Sequence, residues 1–203
     1  ATALAKGCYR DMFFGCTSLT TAPNIPATTL EEESCRAMFY NCTSLTVAPS
    51  LLATTLATNC YRQTFFNCTS LTTAPRIYAT TLATSACTSM FAGCTSLTTA
   101  PELLATTLES YCYESMFSGC TSLTTAPELS ATTLVDSCYN NMFRGCSSLN
   151  NITALFTTTP STAYTSNWVN GVAANGTFYQ NNEAQWDVSG INGIPTNWNV
   201  LPY

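Results

Sequence analysis

The chain has 203 residues, 46% of them apolar and only 8% charged; 11 acids, 6 bases and no histidine leave a net charge of -5. That balance excludes a basic nucleic-acid footprint, which needs clustered Lys and Arg against phosphates. It also excludes histidine-based catalysis and histidine-ligated metal, and no apolar run is long enough to span a membrane.

Threonine, with serine and asparagine behind it, takes the place of charge in keeping the surface wet. The opening block Ala1-Thr2-Ala3-Leu4 aligns with Ala27-Thr28-Thr29-Leu30, one period later. The period is 26 residues: Cys-Thr-Ser-Leu starts at Cys16, Cys42, Cys68, Cys94 and Cys120, and Cys146 continues it as Cys-Ser-Ser-Leu. Phe13, Phe39, Phe65, Phe91, Phe117 and Phe143 form a column in the same register, and Met12, Met38, Met90, Met116 and Met142 form another, broken at Thr64. A unit this short cannot bury its own apolar face, so the spacing predicts a solenoid whose stacked units share one core.

Within each unit the predicted elements follow in order. A short helical turn, such as Cys112–Phe117, leads into a column that is always Gly or Asn (Gly15, Asn41, Asn67, Gly93, Gly119, Gly145), expected to be a left-handed helix C-cap. A short parallel strand, Ser18–Ala22, is stopped by Pro23, and an extended return covers Ile25–Leu30. Six units fill 1–151, the first starting mid-repeat. An open solenoid end would expose apolar surface and strand edges, so a longer protein, with further repeats or another subunit, is expected at the N-terminal end. Residues 152–203 change composition and hold Trp168, Trp186 and Trp198. They are predicted to cap the core with a helix near 163–169 and strands near 176–179 and 197–200.

The block Met-Phe-x-Gly-Cys-Thr-Ser-Leu-Thr-Thr-Ala-Pro at 116–127, followed by Ala-Thr-Thr-Leu at 131–134, resembles the BspA-like leucine-rich repeats of bacterial, protist and phage-encoded surface proteins. The resemblance covers about 1–150. The segments 166–171 and 192–198 are similar to the C-terminal cap of the same group. It implies an α/β leucine-rich-repeat solenoid at the cell or virion surface, used for adhesion or binding. It carries over no catalytic residue, and the unit here is longer than in many members.

Each unit holds two cysteines: Cys8 with Cys16, Cys35 with Cys42, Cys60 with Cys68, Cys87 with Cys94, Cys112 with Cys120 and Cys138 with Cys146. Disulfides within units, disulfides between neighbouring units and a reduced buried ladder all fit this spacing. The disulfide readings require an oxidising place. A zinc site fits poorly, since it wants tight Cys pairs or His.

No catalytic constellation is present, and no metal or cofactor is expected. Glu102 and Glu128 share a column and could face one sugar as an acid/base pair, but a solvated face is the plainer reading. The run Glu31–Glu33 splays its side chains too widely for a calcium site. Threonine ladders at Thr20, Thr46, Thr72, Thr98 and Thr124 are reminiscent of ice-binding surfaces, yet each is cut short by a proline and suits an ordinary exposed strand. Binding is better supported. The unconstrained columns place Leu52, Arg76, Tyr78, Glu102 and Leu104 as one candidate patch, built from residue types that anchor interfaces. The expected function is an extracellular module recognising a host protein or glycan. The alternative is a structural domain of a larger assembly, such as a phage tail fibre or surface filament.

Overall fold

The computed structural model describes residues 2–184 and 186–203; Ala1, in the opening Ala-Thr-Ala-Leu block, lies outside them. Strands β1 (Ala3–Leu4) and β2 (Thr29–Leu30) pair in parallel. Strands β3 (Asn151–Ala154), β4 (Thr177–Gln180) and β5 (Asn199–Pro202) form a second parallel sheet, with Ile152, Phe178 and Val200 in register. Between β3 and β4 lies the single helical turn α1 (Thr162–Thr165), whose N-cap Ser161 accepts from the Ala163 N–H.

The expected α/β leucine-rich-repeat solenoid is therefore not the observed class. Helix makes up 2% of the chain and strand 14%, in two small parallel sheets. The physical reason lies in the segments expected to be helical. Residues 31–42 illustrate it: Glu33, Ala37 and Asn41 have φ of 57°, 50° and 57°, so the backbone turns left-handed at every fourth residue. A right-handed helix cannot propagate through such residues. Amide groups instead alternate in what they bond. Ser34, Arg36, Met38 and Tyr40 donate three residues back at 3.1–3.3 Å, closing a series of tight turns. Cys35, Ala37, Phe39 and Asn41 donate across, to the carbonyls of Cys60, Arg62, Thr64 and Phe66, at 2.8–3.0 Å. The result is a flat ribbon of turns bonded to the ribbon that follows it.

The Gly/Asn column does adopt positive φ, from Gly15 (70°) to Gly145 (75°), but it closes a ribbon and caps no helix. The expected strand at 18–22 shrinks to a single bridge, Thr21 with Val47, and the return segments pair through isolated bridges such as Leu51–Ile77 and Thr55–Thr81. Near the C-terminus the helix predicted at 163–169 is one turn long, and the strands predicted at 176–179 and 197–200 lie at β4 and β5.

Cross-ribbon bonding brings like residues together. Phe13, Phe39, Phe65, Phe91, Phe117 and Phe143 stack with centroids 5.3–5.8 Å apart and planes within 7° of parallel. From Phe39 onward these rings are fully buried, together with Leu45, Leu71, Leu97 and Leu123. Thr64 replaces methionine in the core without leaving its hydroxyl unpaired, because Oγ1 donates to the Cys35 carbonyl at 3.0 Å. Among the described residues no helix is long and apolar enough to cross a membrane.

Candidate binding surface

The return segments are extended, so side chains alternate between core and solvent. Along 75–79 the order is buried Pro75, exposed Arg76, buried Ile77, exposed Tyr78, buried Ala79. The same alternation holds at 101–105, which turns Glu102 and Leu104 outward. The Leu51–Ile77 bridge sets Leu52 beside Tyr78. Leu52, Tyr78 and Leu104 are 39%, 37% and 39% exposed and form an outward row of large apolar groups.

Charge links this row. The Arg76 guanidinium lies 4.8 Å from the Tyr78 ring centroid, close enough for a cation–π contact. Its Nη2 is 3.7 Å from Glu102 Oε2. Both ends of that ion pair are well exposed, so it adds little stability. Glu102 and Leu104 also form one wall of an open cleft of about 380 Å³, whose other wall is Pro127, Glu128 and Ser130. The structure thus ties Arg76, Tyr78 and Glu102 by direct contacts, sets Leu52 beside Tyr78, and puts Leu104 on the cleft wall.

Ser130 and Tyr203 also belong to this surface. Ser130 Oγ donates to Glu128 Oε1 at 3.0 Å, and the Tyr203 hydroxyl donates to Glu128 Oε2 at 2.6 Å. That hydrogen bond to a carboxylate, reinforced by its charge, raises the Tyr203 pKa above the usual phenol value. Ser130 was legible as a member of the same variable column as Tyr78 and Leu104; Tyr203, 75 residues from Glu128 in sequence, gave no signal. Glu128 is committed to these two partners while Glu102 faces Arg76, so the two carboxylates of the cleft have different surroundings.

Alternate threonines of the rows turn their hydroxyls to the backbone. Thr46 Oγ1 donates to the Thr20 carbonyl at 3.1 Å, and Thr98 Oγ1 to that of Thr72 at 3.1 Å. Two of the five hydroxyls in this row are thus spent holding neighbouring segments together, which interrupts the regular array that an ice-binding surface needs.

All twelve cysteines are free thiols, so none of the disulfide readings for Cys8, Cys16, Cys35, Cys42, Cys60, Cys68, Cys87, Cys94, Cys112, Cys120, Cys138 and Cys146 is realised. Five of them have a different partner: Cys42, Cys68, Cys94, Cys120 and Cys146 each place Sγ 3.0–3.2 Å from a phenylalanine carbonyl. Burial pushes the thiols of Cys35, Cys60, Cys94, Cys112 and Cys146 up to about 12. Such groups carry almost no thiolate near neutrality and are poor nucleophiles. Cys8 and Cys16 alone are exposed. Iodoacetamide at pH 8 is expected to add two carbamidomethyl groups to the folded protein and twelve after denaturation. An intact-mass spectrum showing any other folded-state count would contradict this burial pattern. Among the described residues no group of three or more His, Cys, Asp or Glu is placed to hold a metal.

No family model, no curated protein and no solved structure matches this chain.

Proposed function

We propose that the chain is an extracellular binding module, displayed on a cell or virion surface, that recognises a host protein or glycan without turning it over. The observation that carries this reading is the outward row Leu52, Tyr78 and Leu104, with Arg76 over the tyrosine ring and an open cleft beside the row. An aromatic ring and an arginine at the centre of an apolar row are the residue types on which binding energy concentrates. Their mounting is firm, because each outward side chain alternates with one buried in the core. The likeness of the 116–127 block to BspA-like surface proteins supports the extracellular setting.

Tyr78→Ala is the direct test. The ring is exposed, so stability is expected to hold within about 0.5 kcal/mol. Ligands captured by the unaltered chain on glycan and host-protein arrays are expected to lose about tenfold or more in affinity, as for a central interface residue. Ligands bound equally by both proteins would place the binding surface elsewhere, and arrays with no bound ligand would count against the reading altogether.

A further inference from the structure

An asparagine followed by glycine can modify itself, because the glycine nitrogen, with no side chain beside it, reaches the asparagine side-chain carbonyl carbon. The chain holds three such pairs, Asn170-Gly171, Asn175-Gly176 and Asn192-Gly193, and the fold treats them differently. Asn192 Oδ1 accepts from the Asn167 N–H at 2.7 Å, its backbone carbonyl accepts from Thr165 Oγ1 at 2.7 Å, and the Gly193 N–H donates to the Gly190 carbonyl at 3.1 Å. The Asn170 N–H donates to the Asn167 carbonyl at 3.1 Å, and the Asn170 carbonyl accepts from the Gly145 N–H at 2.8 Å. Asn175 is exposed, and neither its side chain, its N–H, its carbonyl nor the Gly176 N–H bonds to any described residue. It lies in a two-residue bend, 174–175, between fixed points. On one side Ala173 donates to the Leu149 carbonyl and accepts from Trp198 Nε1; on the other the Gly176 carbonyl accepts from the Asn199 N–H. A β-carbon at 176 would collide with the Asn150 carbonyl oxygen and lie 2.8 Å from the Trp198 ring, so packing itself keeps glycine next to Asn175.

We infer that Asn175 is a site of spontaneous covalent modification, singled out among the three pairs by its freedom from hydrogen bonds. The Gly176 nitrogen, its proton lost to hydroxide, attacks Asn175 Cγ. The new N–Cγ bond closes a five-membered succinimide ring, and the Cγ–Nδ2 bond breaks to release ammonia. Water then opens the ring: attack at Cγ leaves aspartate, and attack at the backbone carbonyl carbon leaves isoaspartate, whose main chain runs through the former side chain. The sum is one water taken up and one ammonia released, and either product adds a negative charge to a chain of net charge -5. Ring closure requires the peptide unit after the asparagine to rotate. At Asn175 that rotation breaks no hydrogen bond to a described residue; at Asn170 it breaks the bond from Gly145, and at Asn192 it breaks those to Thr165 and Gly190. This inference is independent of the Tyr78 surface.

The folded protein, held at pH 8 and sampled over days, tests this. Chymotrypsin releases 169–178, with the first two pairs, and 187–198, with the third, and fragmentation in the mass spectrometer assigns each modified asparagine. Asn175 is expected to convert at least about tenfold faster than Asn170 or Asn192, whose rings close only after local hydrogen bonds open. In urea, where those bonds are gone, the three rates are expected to converge. Isoaspartate at 175 is expected to accept a methyl group from S-adenosylmethionine in the presence of an isoaspartyl methyltransferase. Asn175→Gln, whose fold is checked by its melting temperature, needs a slower six-membered ring and is expected to abolish the acidic form that ion exchange resolves. The inference is overturned if Asn170 or Asn192 converts as fast as Asn175 in the folded protein. It is also overturned if Asn175 stays intact there while the chain in urea converts, or if Asn175→Gln accumulates the acidic form at an unchanged rate.

Discussion

Replacing Phe91 with alanine is expected to cost about 3–5 kcal/mol of stability, the range for deleting a fully buried phenylalanine side chain. Phe91 has no exposed surface and lies between Phe65 at 5.5 Å and Phe117 at 5.8 Å, with planes 2° and 7° from parallel. Neighbouring backbones bonded edge to edge lie about 4.8 Å apart, so centroids this far apart mean that the rings slide past one another by roughly 2–3 Å. That is the offset stack which aromatic quadrupoles favour, adding about 0.5–1.5 kcal/mol per pair beyond burial. Removing Phe91 breaks two such pairs and opens a cavity that the neighbouring ribbons cannot close, because their spacing is set by five backbone bonds on each side. Phe13 at the end of the same stack supplies the control. It is only partly buried and touches one ring, Phe39, so Phe13→Ala is expected to cost about 1–2 kcal/mol. Urea denaturation of both variants decides the matter: equal losses would show that the stack contributes no more than generic burial.

The Phe column was legible because its spacing survives any choice of backbone: residues recurring at one interval come side by side once consecutive segments are bonded. The backbone class was not legible, and the reason can be read at 111–119. Cys112, Tyr113, Met116 and Phe117 recur at intervals that fit a helix face, and all four are buried. A ribbon that turns every four residues buries the same positions. What separates the two is the sign of φ at Tyr111, Ser115 and Gly119, which is positive at all three. Only glycine and, more weakly, asparagine advertise that preference. Tyr111, like Glu33 and Ala37 in the second ribbon, is held left-handed by the cross-ribbon bonds, a tertiary effect invisible in local composition. The binding surface divides in the same way. Arg76, Tyr78, Glu102 and Leu104 were legible as variable, outward positions on an alternating segment. The clamp of Tyr203 on Glu128 was not, since it depends on where the C-terminal residues return.

Trp168→Ala is expected to match Phe91→Ala in cost, about 3–5 kcal/mol, and to exceed it in consequence. Trp168 is fully buried where the phenylalanine column ends. Its ring meets Phe143 at 6.2 Å and stands edge-on to Phe156 and Phe178 at 5.9 and 6.2 Å. Its Nε1 donates to the Gly193 carbonyl at 2.8 Å, so one side chain both closes the aromatic core and ties down residues 191–193. These are the residues that occupy the Asn167 and Val169 amides. Trp168→Phe keeps the apolar bulk and loses the indole hydrogen bond, leaving the Gly193 carbonyl short of its partner, for about 1–3 kcal/mol. In Trp168→Ala, hydrogen exchange at Asn167 and Val169 is expected to rise well above that at Phe143, whose amide bonds to the Trp168 carbonyl and remains within the ribbon pattern. Equal exchange at all three amides would show that Trp168 does not hold residues 191–193 over Asn167 and Val169.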